Sequence, residues 1–310
     1  MWTILYNMAY IDRIKSGNKT FYYLGKTIRM GPNKWKKIRV KLGTKKPTKK
    51  LISKKLKELK LEEYNVYNLD YINANKLEII DDFKETYENY LKRTPKTIIE
   101  KEESDFIIRF TYNSNAIEGN KLTLRETYFI IKEKQIPSGA PPKDYNEAIN
   151  GREAYNFIKN YKSKLTITFI EKLQYILTKN TGLLYPGVIR FFPVNIEGTD
   201  FRPPNEMKVK KLLKKMIKFY YDNKNKIHPF VLACLIHAQF VEIHPFEDGN
   251  GRTGRALMNW ILMEAEYPKI FIPVKSRQQY YQAIDFHNDK KYKKYCNQIF
   301  DIVVSQLKDK

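Results

Sequence analysis

The sequence is poor in cysteine, in long apolar runs and, over its first 60 residues, in acidic side chains. Cys234 and Cys296 are the only cysteines among 310 residues, and both have apolar or aromatic neighbours. We therefore expect core thiols in a reducing compartment rather than a disulfide or metal site. No apolar run approaches the roughly 20 residues that span a bilayer, and no secretory leader is evident. A cytoplasmic protein without membrane contact is expected.

The scarcity of acidic side chains is local. Residues 1–60 contain 18 Lys or Arg against only Asp12 and Glu58, whereas the whole chain has a net charge of +23. This asymmetry makes nucleic acid or an acidic protein a candidate partner of the first segment. The competing interpretation is a lysine-rich composition in which every solvated face is basic, and the lysines at 208–215 favour it.

The first segment has the pattern of a small β-meander followed by a helix. Lys37 to Leu42 alternates basic and apolar residues, which is typical of a half-buried strand. Two earlier strands are predicted within 4–14 and 22–30, with turns at 16–18 and 31–33. An amphipathic helix follows Pro47, and residues 65–75 are interpreted as a linker. We therefore predict two domains, 1–75 and 76–310.

From about Leu77 onward the pattern is mainly α-helical. Thr94-Pro95 predicts a helix start, and Thr123 to Glu126 has capping-box spacing. In residues 187–204, β-branched and aromatic residues flank Glu197-Gly198 and predict a short β-hairpin. The predicted fold class is therefore mainly α, with a β-meander module in front and one hairpin inside the helical domain. The other predicted helices are 147–161, 166–180, 205–222, 228–242, 252–265 and 276–306.

Residues 244–255 contain the strongest chemical pattern, His-Pro-Phe-Glu-Asp-Gly-Asn-Gly-Arg-Thr-Gly-Arg. Pro245 ends the apolar helical pattern before it, and a new helical pattern begins after Gly251. Gly249-Asn250-Gly251 is therefore a turn that feeds a helix N-terminus. Backbone N–H groups and the helix dipole bind anions at such a turn, so we predict a phosphate site there.

Two arginines in the first turn of that helix support a phosphate ligand. Cations are disfavoured at a helix N-terminus, by roughly 0.3–1 kcal/mol at exposed sites, yet Arg252 and Arg255 stand there. Their spacing puts them on one face, from which both can bind a di- or triphosphate. Asp248 can hold a Mg²⁺ that bridges phosphates. His244 is the nearby side chain whose ordinary pKa suits a general base.

The same stretch resembles the signature of the Fic family in the Fic/Doc superfamily, H-x-F-x-[D/E]-G-N-G-R-x-x-R, at every position. The resemblance covers roughly residues 85–300. It implies transfer of AMP from ATP to a Ser, Thr or Tyr hydroxyl of a target protein, itself included. His244 is then the base, Asp248 the ligand of Mg²⁺ or Mn²⁺, and Phe246 an anchor in the core. The implied phosphate-binding residues are Gly249, Asn250, Gly251, Arg252, Gly254 and Arg255.

The resemblance extends to two further segments. Ser114-Asn115-Ala116-Ile117-Glu118-Gly119 matches the family's inhibitory pattern [S/T]-x-x-x-E-[G/N]. It implies that Glu118 pairs with Arg255 and prevents productive ATP binding, with Ser114 and Gly119 completing the pattern; an ordinary helix end is the alternative. The resemblance also implies a flap that aligns the target segment by strand addition. That flap comprises Val194, Asn195, Ile196, Glu197 and Gly198.

Several alternatives stay open at this level. Glu118 can instead position a water that removes AMP, as in some relatives, and a donor such as UTP is compatible with the motif. Phosphate transfer, as in the Doc branch, is disfavoured by the intact Gly-Asn-Gly-Arg turn. An alternative of a different class is a regulator that binds DNA through residues 1–75. Three residues, Arg277, Tyr280 and Tyr281, resemble the family's following helix, and simple core and surface packing is the alternative interpretation. His237 is predicted to be a buried, hydrogen-bonded side chain.

Overall fold

The computed structural model describes residues 9–31, 34–68, 70–196 and 198–308. The chain divides into two compact units, Met1–Glu78 and Ile79–Lys310. In the described ranges, no helix is both long and apolar enough to cross a membrane.

The first unit contains the predicted antiparallel meander. Its strands are β1 (Tyr10–Ser16), β2 (Lys19–Gly31) and β3 (Lys34–Gly43), in the order β1-β2-β3. The predicted turn at 16–18 joins β1 to β2, where Gly17 has a φ of 58°. The helix after Pro47 is α1 (Lys49–Asn68). The part of the first predicted strand before residue 9 and the turn residues 32–33 lie outside the described residues.

The core of the first unit lies between one face of the sheet and α1. Strict alternation puts Leu24 and Ile28 of β2 and Ile38, Val40 and Leu42 of β3 on that face, where they are buried with residues of α1. The predicted linker 65–75 is shorter in the structure, because α1 runs to Asn68 and the next helix begins at Ala74. Val66 packs against this core, which explains why the helix continues through a segment with no sustained periodicity.

The second unit is built from helices. Each predicted helix is present, although the last predicted range is divided, because Lys290 adopts a φ of 60° and ends the earlier helix. The capping box at Thr123 is complete, with Glu126 Oε2 accepting from the Thr123 N–H and Thr123 Oγ1 accepting from the Glu126 N–H. The helices are α2 (Ala74–Arg93), α3 (Lys96–Ile117), α4 (Leu124–Tyr128), a π-helical turn (Phe129–Glu133), α5 (Pro142–Asn160), α6 (Ile167–Thr178), α7 (Glu206–Asn223), α8 (Pro229–Ile243), α9 (Asn250–Glu264), a 3₁₀ turn (Val274–Ser276), α10 (Arg277–Asn288) and α11 (Tyr292–Lys308).

The predicted β-hairpin at 187–204 is wrong in its secondary structure. The described residues of this segment contain no strand. Its two arms are joined instead by a side-chain hydrogen bond, in which Arg202 Nη1 donates to Asn195 Oδ1 at 2.7 Å. Glu197, at the predicted tip, lies outside the described residues.

Two adjacent helices, α8 and α9, flank the loop of the sequence motif. α8 is apolar on all sides, and eleven of its residues are buried. Gly254 of α9 lets the two helices pack closely, since a Cβ there would lie 3.2 Å from His237 and 3.3 Å from Val241. The loop that joins them, residues 244–249, is therefore held between two buried helices.

Candidate active site

The α8–α9 loop is braced by its own side chains. His244 ends α8 with a left-handed backbone, φ 48°, and Phe246 is fully buried, as predicted. Asn250 Oδ1 accepts from the Phe246 N–H at 3.0 Å, and Asn250 Nδ2 donates to the Phe246 carbonyl at 2.8 Å. The Asn250 side chain therefore holds the loop shape, which is a different task from the phosphate contact that the sequence resemblance implies.

Arg190 joins the loop to the segment at 187–204. Its Nε donates to the His244 carbonyl at 2.7 Å, and its own backbone N–H donates to the Pro245 carbonyl at 2.9 Å. The other guanidinium nitrogens donate to the carbonyls of Phe192 and Pro204. The side chain is only 3% exposed, so one buried cation satisfies carbonyls from three places in the chain.

Gln174 makes a second connection of the same kind. Its Nε2 donates to the Asp248 carbonyl at 2.9 Å, and its Oε1 accepts from the Gly187 N–H. Gly249 leaves room for this α6 side chain and for Thr178, since a Cβ at Gly249 would lie 2.7 Å from Thr178 Cγ2. With a φ of 77°, Gly249 also supplies the left-handed turn that starts α9.

His244 is positioned as a neutral imidazole beside the loop. Burial lowers the pKa of His244 to about 4, and the Val241 carbonyl opposes part of this shift. At neutral pH the ring therefore carries one proton and has one free nitrogen lone pair. A neutral imidazole in a cavity wall can accept a proton from a hydroxyl group.

Arg252 and Asp248 form a buried polar network with Glu147 of α5. Arg252 Nη1 donates to Glu147 Oε1 at 2.8 Å, and Nη2 donates to Asp248 Oδ2 at 2.9 Å. Burial alone would raise the pKa of Asp248, but the Arg252 charge and the Gly249 N–H outweigh it and keep the carboxyl ionised. Asn120 Nδ2 donates to Glu147 Oε2 at 2.7 Å, so the network reaches the chain that follows α3.

Arg255 is surrounded by residues of the second sequence pattern. Its Nη2 donates to Glu118 Oε1 at 2.8 Å, so the ion pair expected from the resemblance is present. Ser114 accepts two further hydrogen bonds, from Nε to its Oγ at 3.0 Å and from Nη2 to its carbonyl at 2.7 Å. Gly119 has a φ of 95° and lets the chain turn away directly after Glu118.

The Glu118 carboxylate lies at the N-terminus of α9. A Cβ built on Gly251 would collide with Glu118 Oε1 and lie 3.0 Å from Arg255 Nη1. The carboxylate therefore occupies space that exists because residue 251 has no side chain. Helix N-termini favour anions, so the Glu118 carboxylate lies at an electrostatically favourable position.

A chain of hydrogen bonds through buried side chains ends at Arg255. Tyr295 donates to the Cys234 carbonyl at 2.9 Å, so its oxygen accepts from His237 Nδ1. His237 Nε2 then accepts from the Tyr280 hydroxyl at 2.9 Å, and that oxygen accepts from Arg255 Nη1 at 3.1 Å. Burial lowers the pKa of His237 to about 3, which agrees with a neutral ring that donates from one nitrogen and accepts at the other.

A cavity of about 720 Å³ opens in front of these residues. This volume lies in the range of small-molecule sites. Arg252 and Arg255 are each only 2% exposed and lie behind the wall rather than in it. The lining residues are Glu118, Asn195, Ile196, Gly198, Thr199, Phe201, Val241, His244, Glu247, Asp248, Asn250, Gly251, Arg277, Tyr280, Tyr281, Ile284, Asp285 and Asn288.

Eight of the predicted site residues line this cavity: Glu118, Asn195, Ile196, Gly198, His244, Asp248, Asn250 and Gly251. Gly254 faces α8 instead, and Val194 is outside the lining, whereas its neighbours Asn195, Ile196 and Gly198 are part of it. Sequence reasoning missed three buried polar residues, Glu147, Gln174 and Arg190. One signal was available for Arg190, a charged residue set in the otherwise apolar run Val188 to Phe192.

A neutral imidazole, an ionised carboxylate and a helix N-terminus lie around this one cavity. Residues 164–262 match the model of the Fic/DOC family. This part of the chain is therefore similar to the Fic/DOC family.

The chain is also similar to curated proteins over part of their length. The chain is 31% identical over 207 residues to a protein of Drosophila mojavensis named protein adenylyltransferase Fic, covering 63% of this chain and 39% of that protein. It is 34% identical over 182 residues to the protein of that name from Nematostella vectensis, covering 57% of this chain and 42% of the relative. The chain thus spans about two fifths of the length of the curated relatives it matches.

Solved structures show the same fold. A Fic-domain-containing signalling protein from Bacteroides thetaiotaomicron superposes with a TM-score of 0.68 at 22% identity, covering 75% of this chain and 94% of that one. Fic-1 from C. elegans superposes with a TM-score of 0.68 at 22% identity, covering 84% of this chain and 74% of the other.

Proposed function

We propose that this protein is an adenylyltransferase that moves AMP from ATP to a hydroxyl side chain of a protein, and that Glu118 restrains it. The observation that carries the proposal is the arrangement around α9. A neutral His244 and an ionised Asp248 line one cavity, and the Glu118 carboxylate fills the anion position at the helix N-terminus. The curated relatives named protein adenylyltransferase Fic support the same reaction.

The proposed chemistry needs one base and a set of anion-binding groups. His244 accepts the proton of the target hydroxyl, whose oxygen attacks the α-phosphorus of ATP. The bond to the pyrophosphate oxygen breaks, and pyrophosphate leaves. The N-terminus of α9 stabilises negative charge on the phosphates, since its N–H groups and dipole point at them. Arg255 binds the terminal phosphates once Glu118 has moved aside.

Asp248 is the residue that would hold a divalent cation. Its carboxylate is ionised, lines the cavity and is 44% exposed. Mg²⁺ typically takes one or two protein carboxylates together with substrate phosphates, so this single carboxylate fits Mg²⁺ or Mn²⁺. Bound there, the cation would neutralise charge on the phosphates. Arg252 holds the Asp248 carboxylate in place and is itself held by Glu147.

The role of Glu118 follows from competition between two anions. Its carboxylate bonds Arg255 and lies against Gly251, and the terminal phosphate of ATP needs the same cation and the same helix end. Both cannot occupy that place, so ATP binds with its phosphates displaced. The reaction then needs release of Glu118, by a partner or by movement of α3.

Removal of AMP is the second candidate. Glu118 lines the same cavity as His244, so its carboxylate can align a water for attack on an AMP–protein ester. The two directions share one site and differ in the task of Glu118. Glu118 obstructs the transfer of AMP, whereas the removal of AMP requires it.

Intact-mass spectrometry of wild type and Glu118→Gly separates the possibilities. Each is incubated with ATP and Mg²⁺, alone and in cell lysate, and the added mass identifies the transferred group. We expect an added mass of one AMP. The modified fraction should be larger for Glu118→Gly than for wild type, and no modification is expected for Glu118→Gly/His244→Ala. The modified protein is then returned to each enzyme without ATP. If only wild type removes the group, the hydrolase assignment replaces the transferase assignment. UTP in place of ATP tests the choice of base.

A further inference from the structure

The β-sheet of the first unit has a basic and aromatic face on the side away from α1. The inward residues of β3, such as Ile38 and Val40, pack on α1. Alternation therefore turns Lys37, Arg39 and Lys41 to the opposite face, and all three are exposed. Strand register places aromatic residues of the neighbouring strands on that face. They are Tyr10, Phe21 and Tyr23.

Aromatic rings form the floor of this face. The Tyr10 ring lies over Gly25 of β2, since a Cβ there would be 2.9 Å from Tyr10 Cε2. Lys37 Nζ lies 5.0 Å from the centre of the Tyr10 ring, and Lys41 Nζ lies 4.7 Å from the centre of the Phe21 ring. The two lysine ammonium groups therefore lie over aromatic rings of the same face.

One acidic side chain lies among the cations. Asp12 accepts from Arg39 Nε at 2.7 Å and pairs with Lys37 Nζ at 2.8 Å. It neutralises only part of the charge, because Lys37, Arg39 and Lys41 together outnumber it and the first 60 residues contain 18 Lys or Arg against two acidic residues. A carboxylate among Lys and Arg side chains can also accept a hydrogen bond from a base amino group.

We propose that this face binds duplex DNA by lying against the major groove. Two spacings between neighbouring strands make the sheet about 10 Å wide, and the major groove of B-DNA is about 12 Å wide. β-sheets are known groove readers, whereas the major groove of an RNA duplex is too deep and narrow for side chains to read. Lys37, Arg39 and Lys41 then bond phosphates along the groove edge. This binding is independent of the proposed transfer of AMP.

Fluorescence anisotropy with the full chain and a short labelled DNA duplex tests the proposal. The face variant is Lys37→Gln/Arg39→Gln/Lys41→Gln. The matched control is Lys49→Gln/Lys50→Gln/Lys54→Gln, which removes the same charge from exposed lysines of α1. We expect wild type and the control to bind alike and the face variant to bind at least about tenfold more weakly. The slope of log K against log salt should shrink by up to about 2.7, since each lost phosphate contact contributes about 0.9.

Three results would overturn the proposal. They are no binding of duplex DNA by wild type at low salt, equal losses in the two triple variants, and tighter binding to an RNA duplex or to single strands of the same sequence. Thermal melting by circular dichroism checks that each variant is folded. If the face variant is unfolded, Lys41→Gln alone takes its place, with an expected slope change of about 0.9. An unchanged slope in that variant also contradicts the proposal.

Discussion

At the scale of single residues, Arg255 matters most because its guanidinium has two kinds of partner. Ser114 and Tyr280 bond it from inside the protein, while Glu118 bonds it from the cavity side. Removing Glu118 therefore leaves the arginine in place, already oriented by its internal partners. Glu118 can therefore restrain Arg255 without moving its guanidinium from the position that Ser114 and Tyr280 set.

The Tyr280 hydroxyl is expected to set the position of Arg255. Tyr280→Phe in the Glu118→Gly background removes one acceptor from Arg255 and one donor from His237. The KM for ATP should rise roughly 10-fold, the effect of one charge-assisted hydrogen bond of about 1.5 kcal/mol, with a smaller change in kcat. Tyr295→Phe is the control, since it removes a hydroxyl from the same chain without contacting Arg255. Equal changes in KM for both variants would refute a specific role of Tyr280.

The low pKa of His244 predicts an unusual pH profile. A base works only when deprotonated, and burial lowers the pKa of this imidazole from its ordinary 6.5 to about 4. Protonation, and loss of activity, therefore occur only as the pH falls towards 4. We expect kcat/KM of Glu118→Gly, which reports the free enzyme, to stay flat from pH 8 down to about 5. An acid limb centred near 6.5 would show that the imidazole is solvated.

At the scale of elements, the meeting of α3 with α9 controls the anion site. The C-terminus of α3 places Glu118 at the N-terminus of α9, and Asn120 connects the following residues to Glu147 and Arg252. The two arginines of α9 are thus both tied, directly or through Glu147, to the end of α3. A shift of this helix end would change both at once.

A substitution at Gly251 tests whether Glu118 occupies the position that the phosphate takes. Gly251→Ala puts a methyl group where the Glu118 carboxylate lies. If the phosphate takes that place in Glu118→Gly, the methyl should obstruct it as well. We expect Glu118→Gly/Gly251→Ala to lose activity by roughly 100-fold, since one oxyanion contact is worth about 2.7–4 kcal/mol. Activity equal to that of Glu118→Gly would place the phosphate elsewhere.

A substitution at Arg190 tests whether its hydrogen bonds hold the α8–α9 loop against residues 187–204. Arg190→Lys keeps the charge, but an ammonium on a flexible stem cannot reproduce the fork that bonds three carbonyls. Buried carbonyls left without donors cost about 1–3 kcal/mol each, so both the melting temperature and kcat should fall. Arg202→Lys is the control, because Arg202 is exposed and its bond goes to Asn195. Similar losses in both variants would argue against an anchoring role for Arg190.

At the scale of the whole molecule, local sequence patterns predict those features that depend on interactions between residues close together in the chain. Glycine, proline and periodicity located the loop at 244–249 and the helices on either side, because these signals act between neighbouring residues. The strict alternation of β3 predicted both the core face and the basic face of the sheet. The capping box at Thr123 was predicted for the same reason.

Side-chain contacts between residues far apart in the chain could not be predicted from the sequence. Nothing near Arg252 indicates that Glu147, 105 residues away, is its second acidic partner beside Asp248, so the sequence predicts a phosphate clamp at Arg252 without this partner. The resemblance implies a phosphate contact for Asn250, and the sequence does not show its bonds to the Phe246 backbone because they depend on the loop geometry. The hairpin at 187–204 was predicted from composition, whereas Arg190 and Arg202 hold that segment by side-chain bonds without a strand ladder.

The central claim is that Glu118 and the terminal phosphate of ATP compete for Arg255. A double-mutant cycle of initial AMP-transfer rates tests it most directly, using wild type, Glu118→Gly, Arg255→Ala and the double variant. We predict that Glu118→Gly raises the rate roughly 10- to 100-fold when Arg255 is present, the effect of a charge-assisted bond of about 1.5–3 kcal/mol. In Arg255→Ala the increase should be much smaller, because only the competition at the N-terminus of α9 is left. Equal stimulation in both backgrounds would contradict the account.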